Sequence, residues 1–325
     1  MVTTTRIPAP TELEQVLATL ASWQREGGPL HLHPGDLGWH QLRGPDATAA
    51  ALRLWERDGR SVALGMLDGP DLVRLALDPD LAEDHELARA LAEDLTSTAV
   101  LPAGDASVEA RSATALRTHL RARGWAEGDP WVPLVRDLTA PVEDPGIAVE
   151  EVAEPTIPEY TAVHRAAFDS EGVTDARVAA MTAGPAHRDA FSLLGRDGTG
   201  AAVGIITVWS AGRGRPGLIE PLGVHPEHRG RGHGRALCLA GAARLREAGA
   251  SSVTVCTPRS LTGAVATYLA AGYRALDDVP DLVRPAPLTR AQSLSPPVSS
   301  SAPDAASPPS PHCHDVISGA SSPCS

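Results

Sequence analysis

Residues 223–237 read "GVHPEHRGRGHGRAL": three glycines alternate with arginines and a histidine, between an apolar run and a helical pattern. Gly230, Gly232 and Gly234 let the backbone turn sharply and bring N–H groups close to a ligand with no Cβ in the way. A helix starting here presents unpaired N–H groups and roughly half a positive charge, which favours an anion. Arg229, Arg231 and Arg235 add forked donors that match phosphate oxygens. The loop therefore reads as a holder for a diphosphate or a similar polyanion. It is not a P-loop, because the Lys-Ser/Thr pair is missing. Its G-x-G-x-G spacing also fails the dinucleotide fingerprint.

Composition narrows what that loop can serve. The 325 residues carry a net charge of −12, which argues against general binding to nucleic acid or an anionic membrane, so anion affinity must be local. Every Lys/Arg position is arginine, and neither lysine nor asparagine occurs, which removes Schiff-base and Walker-type mechanisms. No stretch approaches the ~18 apolar residues of a membrane span, and "MVTTTRIPAPTELEQ" lacks the apolar core of a signal peptide. Cys238 and Cys256 fall in folded patterns and Cys313 and Cys324 near the end; this is no disulfide framework and fits a reducing cytoplasm.

Alternating helical and strand-like patterns predict an α/β fold with a mixed sheet. Residues 1–138 form one such region, and "TAPVEDPG" at 139–146 reads as a linker. A second region spans 147–286. In it "AAVGIITVWSA" and "GLIEPLGV" are successive strands, 235–248 an amphipathic helix, "SSVTVCT" a strand, and "TGAVATYLAAG" a short helix closed by Gly272. Residues 287–325 are rich in serine and proline and read as a disordered tail.

"VHPEHRGRGHG" resembles the acetyl-CoA loop of the GNAT (Gcn5-related N-acetyltransferase) superfamily, a strand ending in Val-x-Pro and then Arg/Gln-x-x-Gly-x-Gly/Ala opening a helix. Val224, Pro226, Arg229, Gly232 and Gly234 fill that pattern. Downstream, "AVATYLAAGYRAL" is similar to the family's closing helix and strand, with Tyr268, Gly272 and Tyr273 in the motif positions. Leu261 stands where the family often has asparagine. The resemblance implies acetyl-CoA as cosubstrate, no metal, and transfer to an amine in a ternary complex. It implies that Arg229, Gly230, Arg231, Gly232, His233, Gly234 and Arg235 hold the diphosphate. The backbone of Leu222, Gly223 and Val224 would pair with the pantetheine arm and polarise the acetyl carbonyl. Tyr268 would be the acid toward the coenzyme A sulfur.

Strict alternation places Leu218, Glu220, Leu222 and Val224 on one strand face. A carboxylate among aliphatics has a raised pKa and suits a general base; Glu220 is read as that base, or else as a strand glutamate paired with an arginine. Pro221 donates no ladder bond and belongs beside a bulge or opening. His225, His228 and His233 lack the convergent spacing of a metal site.

The first region repeats the second in altered form. "LVRLALDPDLAEDHELARAL" parallels the loop segment, with Ala82, His85 and Leu87 at the places of Arg229, Gly232 and Gly234, and Glu83 and Asp84 nearby. Leu120 stands where Tyr268 does, so this copy is expected neither to bind acetyl-CoA nor to catalyse. The whole resembles tandem GNAT proteins of the mycothiol synthase type, with no motif tying it to that substrate. "HLHPGDLGWHQLR" at 31–43 reads as a wall of the acceptor pocket or as a surface loop. The leading reading is an N-acetyltransferase acting on a small-molecule primary amine, as a monomer or homodimer. A protein N-terminal acetyltransferase and a silent acyl-CoA-binding module are the alternatives.

Overall fold

The computed structural model describes residues 2–98 and 100–284, so the serine- and proline-rich tail predicted at 287–325 lies outside the described residues. The first half runs β1 (Thr4–Arg6), α1 (Leu13–Trp23), α2 (Pro34–His40), α3 (Pro45–Ala51), β2 (Leu52–Arg57), β3 (Arg60–Leu67), β4 (Leu72–Leu77), α4 (His85–Thr96), β5 (Ala106–Glu109), α5 (Thr114–Arg121) and β6 (Ala126–Asp137). The second runs β7 (Ala148–Glu151), α6 (Ile157–Phe168), α7 (Asp175–Thr182), β8 (Ala190–Arg196), β9 (Ala202–Trp209), β10 (Gly217–Val224), α8 (His233–Glu247), β11 (Ser252–Pro258), α9 (Thr262–Ala270), β12 (Arg274–Ala275) and β13 (Val279–Arg284). The mixed α/β architecture expected from the sequence is present.

All these strands join one sheet, ordered β1-β2-β3-β4-β5-β13-β6-β11-β10-β9-β8-β7, with β12 also on β6. The two halves exchange their closing strands. The end of β6, from Trp131 to Asp137, pairs antiparallel with β11, so a strand from before the 139–146 segment closes the second half's sheet. In return β13 inserts between β5 and the start of β6, closing the first half's sheet with the last described residues of the chain. The halves read at 1–138 and 147–286 are therefore separate along the chain but interlocked in the sheet.

Helices cover both faces of each half. In the first half, α4 and α5 pack with Trp55, Val73, Leu75 and Val108 on one face, and α1 and α2 with Leu52, Leu54, Leu64 and Met66 on the other. In the second half, α8 and α9 share a core with Ile206, Val208 and Val253, while α6 and α7 cover Ile205, Trp209 and Leu218. The near-continuous apolar run of β9, buried along seven of its eight residues, follows from this two-sided cover. Gly241 lets α8 sit close on the sheet: a Cβ there would lie 2.7 Å from Val208 Cγ1.

Strand exchange couples the halves energetically. Leu282 of β13 is fully buried in the first half's core, and Val132 and Leu134 of β6 in the second's. Leu282→Ala is expected to lose about 2–5 kcal/mol, and both halves should unfold in one transition, coincident by tryptophan fluorescence and far-ultraviolet dichroism. Two separate transitions, with only the first moved by the substitution, would show that the exchanged strands do not couple the halves.

Candidate active site

β10 decides the site. Its parallel pairing with β11 covers only Gly217 and Leu218, while its antiparallel pairing with β9 continues to Val224. The two parallel strands therefore part after Leu218, and the backbone from Ile219 onward borders an opening. Pro221 has no N–H to give a ladder, and the register on β9 shifts between Ile219 and Leu222. That bulge corrects the simple alternation. Leu218 packs with the α6 side, whereas Ile219, Leu222 and Val224 pack with the α8 side. Glu220 and Pro221 sit at the switch, where both residues face the opening.

A cavity of about 210 Å³ fills this opening. Glu220, Pro221 and Leu222 line it from β10, Val255 to Pro258 from β11, and Leu261, Ala264 and Tyr268 from α9 and its approach. The structure thus brings Glu220 and Tyr268 into one cavity. No hydrogen bond or ion pair reaches the Glu220 carboxylate from any described residue, so the arginine-paired alternative is not what the structure holds. Burial pushes Glu220 up to about 8, with Arg74 opposing and Asp36, Asp68 and Glu109 reinforcing. Burial, with Cys238 and Glu220 nearby, holds the Tyr268 hydroxyl well above its ordinary value, so it stays protonated. Cys256 also lines the cavity, but burial raises its thiol to about 12, which leaves it a neutral wall rather than a nucleophile.

The glycine loop follows β10. Gly230 and Gly232 adopt positive φ (76° and 84°), which the strand-to-helix turn requires, and Gly232 caps α8. The first helical bond runs from Ala236 N–H to Gly232 O, leaving the amides of His233, Gly234 and Arg235 at the helix mouth. A Cβ on Gly234 would lie 2.9 Å from Thr267 Cγ2, so α8 and α9 meet here without room for a side chain. The arginines divide their work. Arg229 donates Nε to Val224 O (3.2 Å) and Nη2 to Ala167 O (2.7 Å), bracing the loop against β10 and α6. Arg235 donates Nε to Ala270 O (2.9 Å), tying α8 to α9. Only Arg231 is exposed with no side-chain partner among the described residues. The forked donors expected of all three arginines are thus turned inward at two, whose role toward an anion is charge and bracing. The His225 and His228 rings meet edge to face and those of His228 and His233 at a tilt, and no metal-holding cluster occurs among the described residues.

The equivalent place in the first half is sealed. Its loop is one residue shorter, so Asp84 rather than His85 takes the position of Gly232. The Asp84 carboxylate accepts from Leu87 N–H (2.7 Å) at the mouth of α4 and is held by Arg57. The helix terminus already carries its anion.

The first half instead supplies the far wall of the cavity. Asp36, Trp39 and His40 of α2, with Met66, Asp68 and Arg74, line it. Gly35 and Gly38 of α2 lie flat on Trp209, where a Cβ on either would enter the indole, and Trp209 Nε1 donates to Glu220 O (2.7 Å). His33 fixes the start of α2: its Nδ1 accepts from Gly35 N–H (2.9 Å), so its Nε2–H donates to Pro216 O (3.2 Å). Of the 31–43 segment, Asp36, Trp39, His40, Leu42 and Arg43 face the cavity, and His31 lies beside it. The sequence reading missed Arg74. It lies on β4 with its side chain 14% exposed and pairs with Asp36 (2.9 Å), Glu109 (3.0 Å) and Asp68 (3.6 Å), and its charge in the apolar run "LVRLALD" was the available signal.

Comparison with known proteins agrees with this geometry. Residues 157–273 match the acetyltransferase (GNAT) family. This segment is a GNAT domain. It contains the glycine loop, the parted strands and Tyr268. No curated protein matches the chain. Among solved structures, a tandem GNAT protein from the clavulanic acid biosynthesis pathway aligns at 18% identity and TM-score 0.55, over 87% of this chain and 98% of its own. A GCN5-related N-acetyltransferase from Sphaerobacter thermophilus aligns at 21% and 0.53, over 87% and 95%. A GNAT-family acetyltransferase from Colwellia psychrerythraea aligns at 12% and 0.51, over 87% and 98%. These likenesses extend the shared GNAT fold across both halves. No helix among the described residues is long and apolar enough to cross a membrane.

The contact of α2 with Trp209 is testable. Gly38→Ala is expected to cost about 1–3 kcal/mol, because the methyl has no space beside a fully buried indole. An unchanged denaturation midpoint would show that α2 is not seated there.

Proposed function

We propose that the chain is an acetyl-CoA-dependent N-acetyltransferase acting on a small-molecule primary amine. The observation that carries this reading is the convergence of Glu220 and Tyr268 on one cavity at the parting of β10 from β11, next to the glycine loop. The site fits the cosubstrate: Gly230 and Gly232 open a helix mouth whose amides lack helical partners, and Arg231 there has no side-chain partner among the described residues. The backbone of Leu222, Gly223 and Val224 would take the pantetheine arm, the amides and charge of 229–235 the diphosphate. Acetyl-CoA held there supplies an activated thioester.

The residues divide the proton work. Glu220 takes a proton from the acceptor ammonium, and the freed amine nitrogen forms a C–N bond to the acetyl carbon as the C–S bond breaks. A preorganised N–H at the developing oxyanion is worth roughly 3 kcal/mol. Tyr268, kept protonated by its burial, donates its hydroxyl proton to the departing sulfur, and the second proton that the nitrogen loses as the amide forms returns to the tyrosine. Leu261, in place of asparagine, offers no side-chain donor, so backbone amides must carry that contact. The first half, with Asp84 on its helix mouth, serves as the acceptor wall and holds no second cosubstrate.

The pH dependence tests the base. Glu220 works as a carboxylate, and its pKa is about 8, so kcat/KM should rise with pH and level off above about 8. Glu220→Gln should remove that limb and lower the rate; a limb retained in the variant would assign the base elsewhere. Tyr268→Phe should lower kcat at least ~10-fold with little change in cosubstrate affinity. Undiminished turnover would remove its acid role, and binding without amine-dependent release of coenzyme A would favour a silent acyl-CoA-binding module.

A further inference from the structure

Resting on the acetyltransferase reading, we infer that Trp39, His164 and Phe168 form an aromatic subsite bordering the Glu220 stretch of β10, so that the acceptor is a primary amine carrying an aromatic ring.

Aromatic residues are scarce in this chain and unevenly placed. Phe, Trp and Tyr make up 3% of it, yet two of its six tryptophans and one of its two phenylalanines line the cavity, together with Tyr268. Tyr268 already has its proton work, and Trp131 carries the Arg111 guanidinium over its ring, 5.8 Å from the centroid. Trp39 and Phe168 remain. Both are half-buried, so each keeps apolar ring surface accessible, and accessible apolar surface in a concave site is what a ligand covers.

Contacts fix where these rings stand. His164 and Phe168 are one turn apart on α6 with centroids 4.7 Å apart, and Trp39 stacks on His164 from the first half at 5.3 Å. Burial pulls the His164 imidazole down to about 4, so it is neutral and the strip of three rings carries no charge of its own. Each end of the strip is tied to β10. Phe168 Cε2 would lie 2.9 Å from a Cβ on Gly223, so the bare glycine is what admits the ring. Trp39 follows Gly38, which lies on Trp209, and Trp209 Nε1 donates to the carbonyl of Glu220. The strip thus borders, from the α6 side, the stretch of β10 that carries Glu220. From β11 and α9 come Val255 to Pro258, Leu261 and Ala264, small or aliphatic surface that suits a pantetheine arm. The ring surface is left for the acceptor. An aromatic body meets it offset or edge-on, the arrangements ring quadrupoles favour, while the amine meets Glu220.

The test compares 2-phenylethylamine, 2-cyclohexylethylamine and butylamine as acceptors, following coenzyme A release, in the wild-type protein and in Trp39→Leu and Phe168→Leu. Calorimetric binding of 2-phenylethylamine is measured on the same proteins. The cyclohexyl amine matches the phenyl amine in size and apolarity but has no π face. The wild type should prefer the phenyl over the cyclohexyl amine by roughly 3- to 10-fold in kcat/KM, and both over butylamine. Each variant should bring the phenyl-to-cyclohexyl ratio toward one, chiefly through KM, and weaken 2-phenylethylamine binding by roughly 3- to 10-fold. Rings that only support the fold would instead lower all three amines in proportion and leave the ratio unchanged. That result in both variants would overturn the subsite while leaving the acetyltransferase reading intact. So would wild-type turnover of 2-cyclohexylethylamine or butylamine at least as good as that of 2-phenylethylamine. Binding of 2-phenylethylamine that weakens in both variants, with no amine releasing coenzyme A, would uphold the subsite and refute the catalytic reading.

Discussion

Parallel strands in a buried sheet ordinarily stay paired along their length, and β10 and β11 do so for only two residues. Everything functional depends on that interruption. Pro221 cannot donate to the ladder, the bulge turns Glu220 and Pro221 toward the gap, and the Trp209 indole holds the carbonyl of Glu220 from the side. The gap exposes strand backbone at Leu222 to Val224 and leads into the helix mouth opened by Gly230 and Gly232. A closed sheet would bury these polar groups in a ladder and leave no cavity for Tyr268 to face.

The first half has a physical role although its own helix mouth is sealed. Two glycines bring α2 flat onto Trp209, and His33 ties it to Pro216, so the wall opposite Glu220 is set by contacts as close as those within a single core. That wall is acidic and buried. Burial raises Asp36 to about 6, and the same acidic surroundings help raise Glu220 to about 8. A carboxylate held at that value pairs readily with a proton arriving on an ammonium. The exchanged strands β6 and β13 keep the two halves from sliding against each other, which a cavity shared between them requires.

Much of the second half was legible in the sequence because its signals are local. Glycines at a strand-to-helix turn, Pro221 in a strand, and a tyrosine four residues before Gly272 each state a backbone or side-chain requirement in place. The parts that were not legible depend on long-range pairing. Strand exchange leaves no mark in β6 or β13, whose patterns are those of ordinary strands. The inward turn of Arg229 and Arg235 depends on carbonyls at Ala167 and Ala270, far along the chain. Alternation along β10 misplaced Leu218 because a bulge changes parity, although Pro221 was the available warning. The "HLHPGDLGWHQLR" segment offered a wall and a surface loop equally until α2 was seen on Trp209.

The central claim is that one helix mouth in this chain accepts a diphosphate and the other is filled by its own carboxylate. Calorimetric titration of acetyl-CoA into the full-length protein tests this most directly. The account predicts one site per chain, abolished by Gly232→Glu, which combines a strained φ with a negative charge at the helix mouth, and unaffected by Asp84→Ser. Two sites per chain, or a single site that survives Gly232→Glu, would contradict it.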